Sequence, residues 1–169
     1  MAKNVNTATP LKIDQRPEMP YMGIRYIAPF KGMRPPQEIA RKELLQWFKA
    51  QGITPSAPPF LRYHVIDMKG EMDLEYGIPV DQPLEGSGRI KAAVLPAGRY
   101  VSLIYTGGGY QGNKTLIEGA RAAGLVFDRW DTDKGDNFRC RYERFLTNPK
   151  VEPRKTKWEI EIAIKLADE

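Results

Sequence analysis

The sequence predicts an α+β fold made of a duplicated strand–helix–strand–strand unit with pseudo-two-fold symmetry. The clearest sign is residues 157–166 (KWEIEIAIKL), which alternate strictly. Ile160, Ile162, Ile164 and Leu166 share one face, and Glu159, Glu161, Ala163 and Lys165 share the other. A period of two argues a strand with one dry face. Residues 37–51 and 113–123 carry a different rhythm. Ala40, Leu44, Trp47 and Phe48 fall at i, i+4, i+7 and i+8, and Leu116, Ile117, Ala120 and Ala123 gather on one side. Each stretch is an amphipathic helix, with Gly52 or Gly124 placed to close it. Finally, the order recurs: strand, helix and hairpin over residues 21–80, then again over 97–166.

Taken in chain order, residues 1–10 read as a flexible tail and 11–169 as a single domain. Prolines at 10, 17, 20 and 29 keep residues 11–30 extended, with a strand over 21–27. Pro35 and Pro36 suit the first turn of the helix that follows. A hairpin spans 60–67 and 71–80, turning at Lys69-Gly70. The loop 81–88, with Pro83, Gly86 and Gly88, separates half one (about 11–82) from half two (about 89–169). The second half holds a strand over 97–105, the 113–123 helix, and a hairpin with arms 138–145 and 157–166. Arg62-Tyr63 in the first hairpin echoes Arg141-Tyr142 in the second, and Glu75 in EYGIPV echoes Glu159 in EIEIAI. Two antiparallel sheets, each carrying a helix on one face, leave a natural ligand cleft between them.

Composition narrows the function. At 169 residues the chain can bury a sizeable core. No apolar run approaches the roughly 20 residues that span a bilayer, so no membrane association is expected. One cysteine excludes an internal disulfide framework, and the polar start lacks a signal sequence, which predicts a cytoplasmic location. The net charge of +5 is spread along the chain. Its densest part, Arg139 to Lys157, is broken by Glu143 and Glu152 and reads as a solvated hairpin face, so no direct nucleic-acid binding is expected.

Several motifs fall short of a chemistry. GGGYQGNKT (107–115) resembles a phosphate loop, but Asn113 separates Gly112 from Lys114 and shifts both ligands by one position. A tight turn with Asn113 as helix N-cap accounts for it better. One histidine, His64, and one cysteine cannot build a zinc site, so neither metal nor cofactor is expected. No G-x-S-x-G elbow offers a serine to His64. Cys140, between Arg139 and Arg141, reads as a small buried hydrophobe. Asp73, Glu75, Glu159 and Glu161 belong to the alternating polar set and are mostly solvated on this reading.

Glu143 is different. It shares a face with Phe145, beside Tyr142 in an aromatic-rich strand, with Trp158 across the hairpin. Aromatic rings around one anion form a receptor for cationic or amphipathic organic molecules. The same surroundings suit a carboxylate to acid–base chemistry. The competing reading is an ordinary exposed pair with Arg141 or Arg144.

The motifs Arg62-Tyr63, Asp73-Leu-Glu-Tyr-Gly-Ile-Pro-Val80, Leu95-Pro-Ala-Gly-Arg-Tyr100, Thr106-Gly-Gly-Gly-Tyr110, Tyr142-Glu-Arg-Phe145 and Glu159-Ile-Glu-Ile-Ala-Ile164 follow one another in a familiar order. With them the sequence resembles the GyrI-like small-molecule-binding domains, which also serve as effector-binding modules of multidrug-responsive transcription activators. The resemblance implies that Glu143 lies in a ligand cleft lined by Tyr63, Tyr110, Phe145 and Trp158. Tyr76, Tyr105 and Trp130 join them by proximity in the chain. No DNA-binding or coiled-coil segment precedes the domain, so a stand-alone form is expected, and Ala163 stands where many relatives carry proline. The first functional expectation is a binding protein of broad specificity for hydrophobic or cationic compounds. The alternatives are a hydrolase of strained or electrophilic molecules using Glu143 as general base or acid, and a protein that acts on a topoisomerase or regulator partner.

Overall fold

The computed structural model describes residues 7–168. Among these residues eleven strands and two α-helices make a mixed fold around one strongly curled antiparallel sheet. Two separate sheets were expected, but Arg141–Phe145 pairs with Phe60–Ile66 and joins the halves. The strands are β1 (Thr7–Ala8), β2 (Lys12–Arg16), β3 (Met19–Pro29), β4 (Phe60–Ile66), β5 (Glu71–Pro79), β6 (Ile90–Leu95), β7 (Gly98–Thr106), β8 (Arg129–Thr132), β9 (Gly135–Phe138), β10 (Arg141–Phe145) and β11 (Glu159–Lys165). Helix α1 covers Arg34–Gln51 and helix α2 covers Gly109–Ala122. Across the sheet the order is β1-β7-β11-β10-β4-β5-β3-β6, with β2 on β7 and the β8–β9 hairpin on β4.

Both helices start earlier than their apolar rhythm predicts. Pro35 and Pro36 stand in the first turn of α1, where a missing N–H costs nothing, so the helix reaches back to Arg34. Gly52 ends it in the left-handed conformation (φ +66°), its N–H turned to the Phe48 and Lys49 carbonyls. In α2 the glycines that read as a turn are helical from Gly109 onward. Gly112 is there for contact: a Cβ on it would lie 2.6 Å from Cγ of the Tyr105 ring. The helix therefore rests flat on that ring. Asn113 is not the N-cap but lies inside the helix, its Nδ2–H donating to the Gly109 carbonyl at 2.8 Å.

The second hairpin also departs from expectation. Residues 138–145 do not form one arm. Phe138 ends β9, the chain bends at Arg139-Cys140, and β10 begins at Arg141. The break lets β9 pair with β8 and β4 while β10 pairs with β11 and β4. Strands β6, β8 and β9 are unforeseen, because exposed edges such as RWDT carry no apolar alternation. Within the stretch expected as a tail, Thr7 and Ala8 pair with β7, and residues 1–6 lie outside the described residues.

Two faces result. On one, α1 packs Ala40, Leu44 and Phe48 against Met22, Ile24, Tyr76 and Ile78. On the same face α2 packs Leu116 against Val101, Leu103, Ile160, Ile162 and Ile164. Each fully buried side chain of this kind contributes about 1.5–3 kcal/mol. Cys140 is buried as its neighbours imply, on the opposite face with Tyr21, Phe60, Tyr100 and Tyr142. No helix among the described residues is long and apolar enough to cross a membrane.

The opposite face is more polar inside than its sequence suggests. Glu75 is 6 % exposed rather than solvated. The Tyr21 hydroxyl donates to its Oε1 at 2.7 Å, and the His64 Nε2–H does so at 2.8 Å. Arg62 in turn donates to the Tyr21 hydroxyl at 2.9 Å. Burial by itself would raise the Glu75 carboxyl, but the hydrogen bonds from His64 and Tyr21 and the charges of His64 and Arg62 outweigh it and hold the group below its ordinary range. A carboxyl lowered in the folded state stabilises the fold above its unfolded value, near 4.5, and loses that contribution as pH falls through the folded value. Glu75→Gln is therefore expected to lose about 1–3 kcal/mol at pH 7 in urea unfolding. The gap to wild type should begin to narrow near pH 4.5 and close as pH falls through the folded value; a gap independent of pH would contradict the charge-based account.

Candidate functional site

One row of paired residues crosses the helix-bearing face. Leu103, Ile162, Glu143, Leu61, Tyr76 and Ile24 stand opposite one another on β7, β11, β10, β4, β5 and β3. Five are apolar or aromatic and the central one is a carboxylate. Helix α1 lies on β3 and β5, and α2 lies on β7 and β11, so β4 and β10 form the strip between them. Glu143 sits half-buried on that strip.

Both carboxylate oxygens are occupied. The Tyr63 hydroxyl donates to Oε1 and the Tyr105 hydroxyl to Oε2, each at 2.6 Å. These charge-assisted bonds come from opposite flanks, Tyr63 on β4 and Tyr105 on β7 beneath α2. Burial, then the adjacent Glu143 charge, pushes both phenols far above the usual tyrosine range. They remain neutral donors at any physiological pH. The exposed-pair reading fails: among the described residues no cation lies within ion-pairing distance of Glu143. Arg141 acts on it only at longer range. Its guanidinium donates to Asn113 Oδ1 at 2.7 Å and lies 4.8 Å over the Phe138 ring. The basic run around β10 is thus not a uniformly solvated face.

Phe145 continues the site. Its ring stacks near Tyr76, with centroids 6.4 Å apart and planes 18° apart, and meets Trp158 edge-on at 6.4 Å. Trp158 follows a short 3-10 turn at Lys155–Lys157 and is tethered through its indole N–H to the Glu152 carbonyl. The chain therefore brings together Tyr63, Tyr76, Tyr105, Glu143, Phe145 and Trp158. It does not bring the other two expected residues to the carboxylate. Tyr110 is 77 % exposed, because α2 starts at Gly109 and turns it to solvent. Trp130 lies on edge strand β8, where Arg139 stacks on it at 4.8 Å.

Sequence reasoning missed Tyr26. Like Phe145 it packs against the α1-side core, and its hydroxyl is buried without a hydrogen-bond partner among the described residues. Its signal was its place in the strand over 21–27, in phase with Met22 and Ile24. Among the described residues no group of three or more His, Cys, Asp or Glu side chains is arranged to hold a metal.

The Gly112 contact makes the site testable without touching its polar groups. Gly112→Ala forces α2 or the Tyr105 ring to shift, at about 1–3 kcal/mol of overpacking. Loss of the Tyr105–Glu143 bond should follow, read as an altered Tyr105 ring signal in NMR alongside lower denaturant stability. An unchanged ring signal would mean that the glycine does not position the site.

Comparison with solved structures places the fold. The chain superposes on the EcmrR C-terminal domain with a TM-score of 0.69 at 21 % identity, covering 95 % of this chain and 98 % of that one. Against EcmrR in its DNA complex the TM-score is 0.70 at 17 % identity, and the match spans 97 % of this chain but only 58 % of that longer one. A hydrolase from Listeria innocua matches with a TM-score of 0.61 at 12 % identity (93 % and 91 % covered). SAV2435, solved bound to tetraphenylphosphonium, matches with a TM-score of 0.54 at 13 % identity (94 % of each). No curated protein matches the sequence. The model of the GyrI-like small molecule binding domain matches residues 9–167, nearly the whole chain, and the chain belongs to that family.

Proposed function

We propose that this chain binds small hydrophobic or cationic compounds over the strip of β4 and β10 between its helices. The observation that carries this reading is the Glu143 carboxylate, held by two neutral tyrosines in the middle of an otherwise apolar row. A negative charge so placed, with no ion-pair partner among the described residues, is complementary to a lipophilic cation. Phe145, Trp158 and Tyr76 supply ring faces, which tolerate many shapes and so favour breadth over selectivity. The unpartnered Tyr26 hydroxyl offers a hydrogen bond from the α1 side. The site lies where two strand–helix–strand–strand units meet, which we take as the two halves of a duplicated fold. The tetraphenylphosphonium bound to SAV2435 is a compound of the proposed class.

A second reading is favoured by the short hydroxyl–carboxylate contacts. In a hydrolase, Glu143 would take a proton from a water attacking an electrophilic carbon, and Tyr63 or Tyr105 would return one to the leaving group. The similar Listeria innocua hydrolase adds to that case.

Thermal unfolding with tetraphenylphosphonium and with a neutral polycycle of similar size separates the readings. Binding to the folded state raises the melting temperature by mass action, equivalent to about 2.7 kcal/mol at 100 times Kd. Glu143→Gln is expected to weaken the cation tenfold or more, about 1.4 kcal/mol, and to spare the neutral compound. A panel of cations and neutral compounds that leaves wild type unshifted sinks the receptor. Product by mass spectrometry from an electrophilic substrate, lost in Glu143→Gln with binding retained, selects the hydrolase.

A further inference from the structure

The opposite face of β10 carries a second constellation. Neighbouring residues of a strand point to opposite faces, so Tyr142 and Arg144 face away from Glu143. There they line a cavity of about 230 Å³ together with Arg16, Met19, Leu95, Tyr100 and the Glu161 carboxylate. That is too small for a drug-sized ligand, whose pockets begin near 300 Å³, and ample for a compact one.

The charge arithmetic of this cavity is unequal. Arg144 stands directly opposite Glu161 in the β10–β11 register and would ordinarily pair with it. Arg16 takes that carboxylate instead, donating from Nη1 to Oε1 at 3.2 Å and from Nη2 to Oε2 at 3.0 Å. Asp14, the Tyr142 hydroxyl and Ser102 complete the Arg16 set at 3.2, 2.8 and 3.1 Å. Arg144 is left over. Among the described residues its guanidinium reaches only Met19 Sδ, at 3.3 Å, and lies 5.5 Å from the Tyr142 ring centroid. Its Nε is buried without a hydrogen-bond partner, and no carboxylate lies within 4 Å of it among the described residues. A guanidinium pairs best with a planar carboxylate through two parallel hydrogen bonds. Met19, Leu95, Tyr100 and Tyr142 give the cavity apolar walls.

We infer that this cavity is a second binding site, for a small monocarboxylate with an aromatic or short aliphatic body, its carboxylate on Arg144. The site is independent of Glu143 and opposite to it in charge preference. Arg16 acts here as a positioning residue, holding Glu161 away from Arg144 and Tyr142 in place.

Benzoate and its neutral isostere benzamide, titrated into the wild-type chain at constant ionic strength and followed by amide NMR, test the assignment. Benzoate should saturate, moving the amides of Met19, Leu95, Tyr100 and Tyr142, while benzamide binds at least tenfold more weakly. Arg144→Gln should cost benzoate tenfold or more, Arg144→Lys should restore part of it, and Glu143→Gln should leave it unchanged. Equal binding of the two probes, shifts confined to residues around Glu143, or a folded Arg144→Gln that binds benzoate as wild type does would overturn the site. The wild-type benzoate–benzamide comparison decides the matter even if Arg144→Gln fails to fold.

Discussion

Everything on the helix-bearing face answers to one constraint, a carboxylate placed where the sheet wants an aliphatic side chain. Removing an ion from water costs several kcal/mol, comparable to what one or two of the isoleucines beside it contribute. The fold meets that cost with Tyr63 and Tyr105 rather than with an arginine. The choice matters. A guanidinium would neutralise the site, whereas two phenols satisfy the lone pairs and leave the charge in place. Arg141, on the same face of β10, is drawn off by Asn113 and the Phe138 ring.

The scaffold follows from the same requirement. A helix laid across β4 and β10 would bury Glu143 completely, and the chain instead sets its two helices on the flanking strips. Each is pinned by small residues at close approach, Ala40 on one side, Gly112 and Ala120 on the other. The hydroxyl of Tyr105 reaches past Ile162 to β10 because α2 rests on its ring. Helix placement and carboxylate geometry are in this sense one problem.

How far this was legible beforehand depended on whether a residue's surroundings are local. The alternation of Ile160, Ile162 and Ile164 fixes a face without knowledge of neighbours, and so β11 was readable. The stripes of α1 and α2 were equally plain, although their starts were not, since proline and glycine look like turns until their contacts are known. Glu143, Phe145 and Trp158 stood out by composition within one hairpin, and the family resemblance added Tyr63. The resemblance also brought in Tyr110, and proximity in the chain brought in Trp130; helix phase and an edge strand carry them elsewhere. Tyr26 was passed over because nothing in a strand of apolar residues marks one hydroxyl as unpartnered. The buried Glu75 was missed for the complementary reason, that its surroundings come from two other strands, Tyr21 from β3 and Arg62 and His64 from β4.

Glu143 and Arg144 are adjacent in β10 and separated by the thickness of one sheet. Inward the strand presents an anion among rings, and outward a cation with no counter-ion among the described residues. A strand that slips by one residue in its ladder turns its faces over. A one-residue deletion ahead of Glu143 would therefore do more than misplace a side chain. It would aim a guanidinium at Tyr63 and Tyr105 and a carboxylate at the space beside Arg16 and Glu161, reversing the polarity of both faces together. Single substitutions can retune either face alone, but a change of length in β10 cannot. The bend at Arg139-Cys140, just before the strand begins, is where such a change could be absorbed.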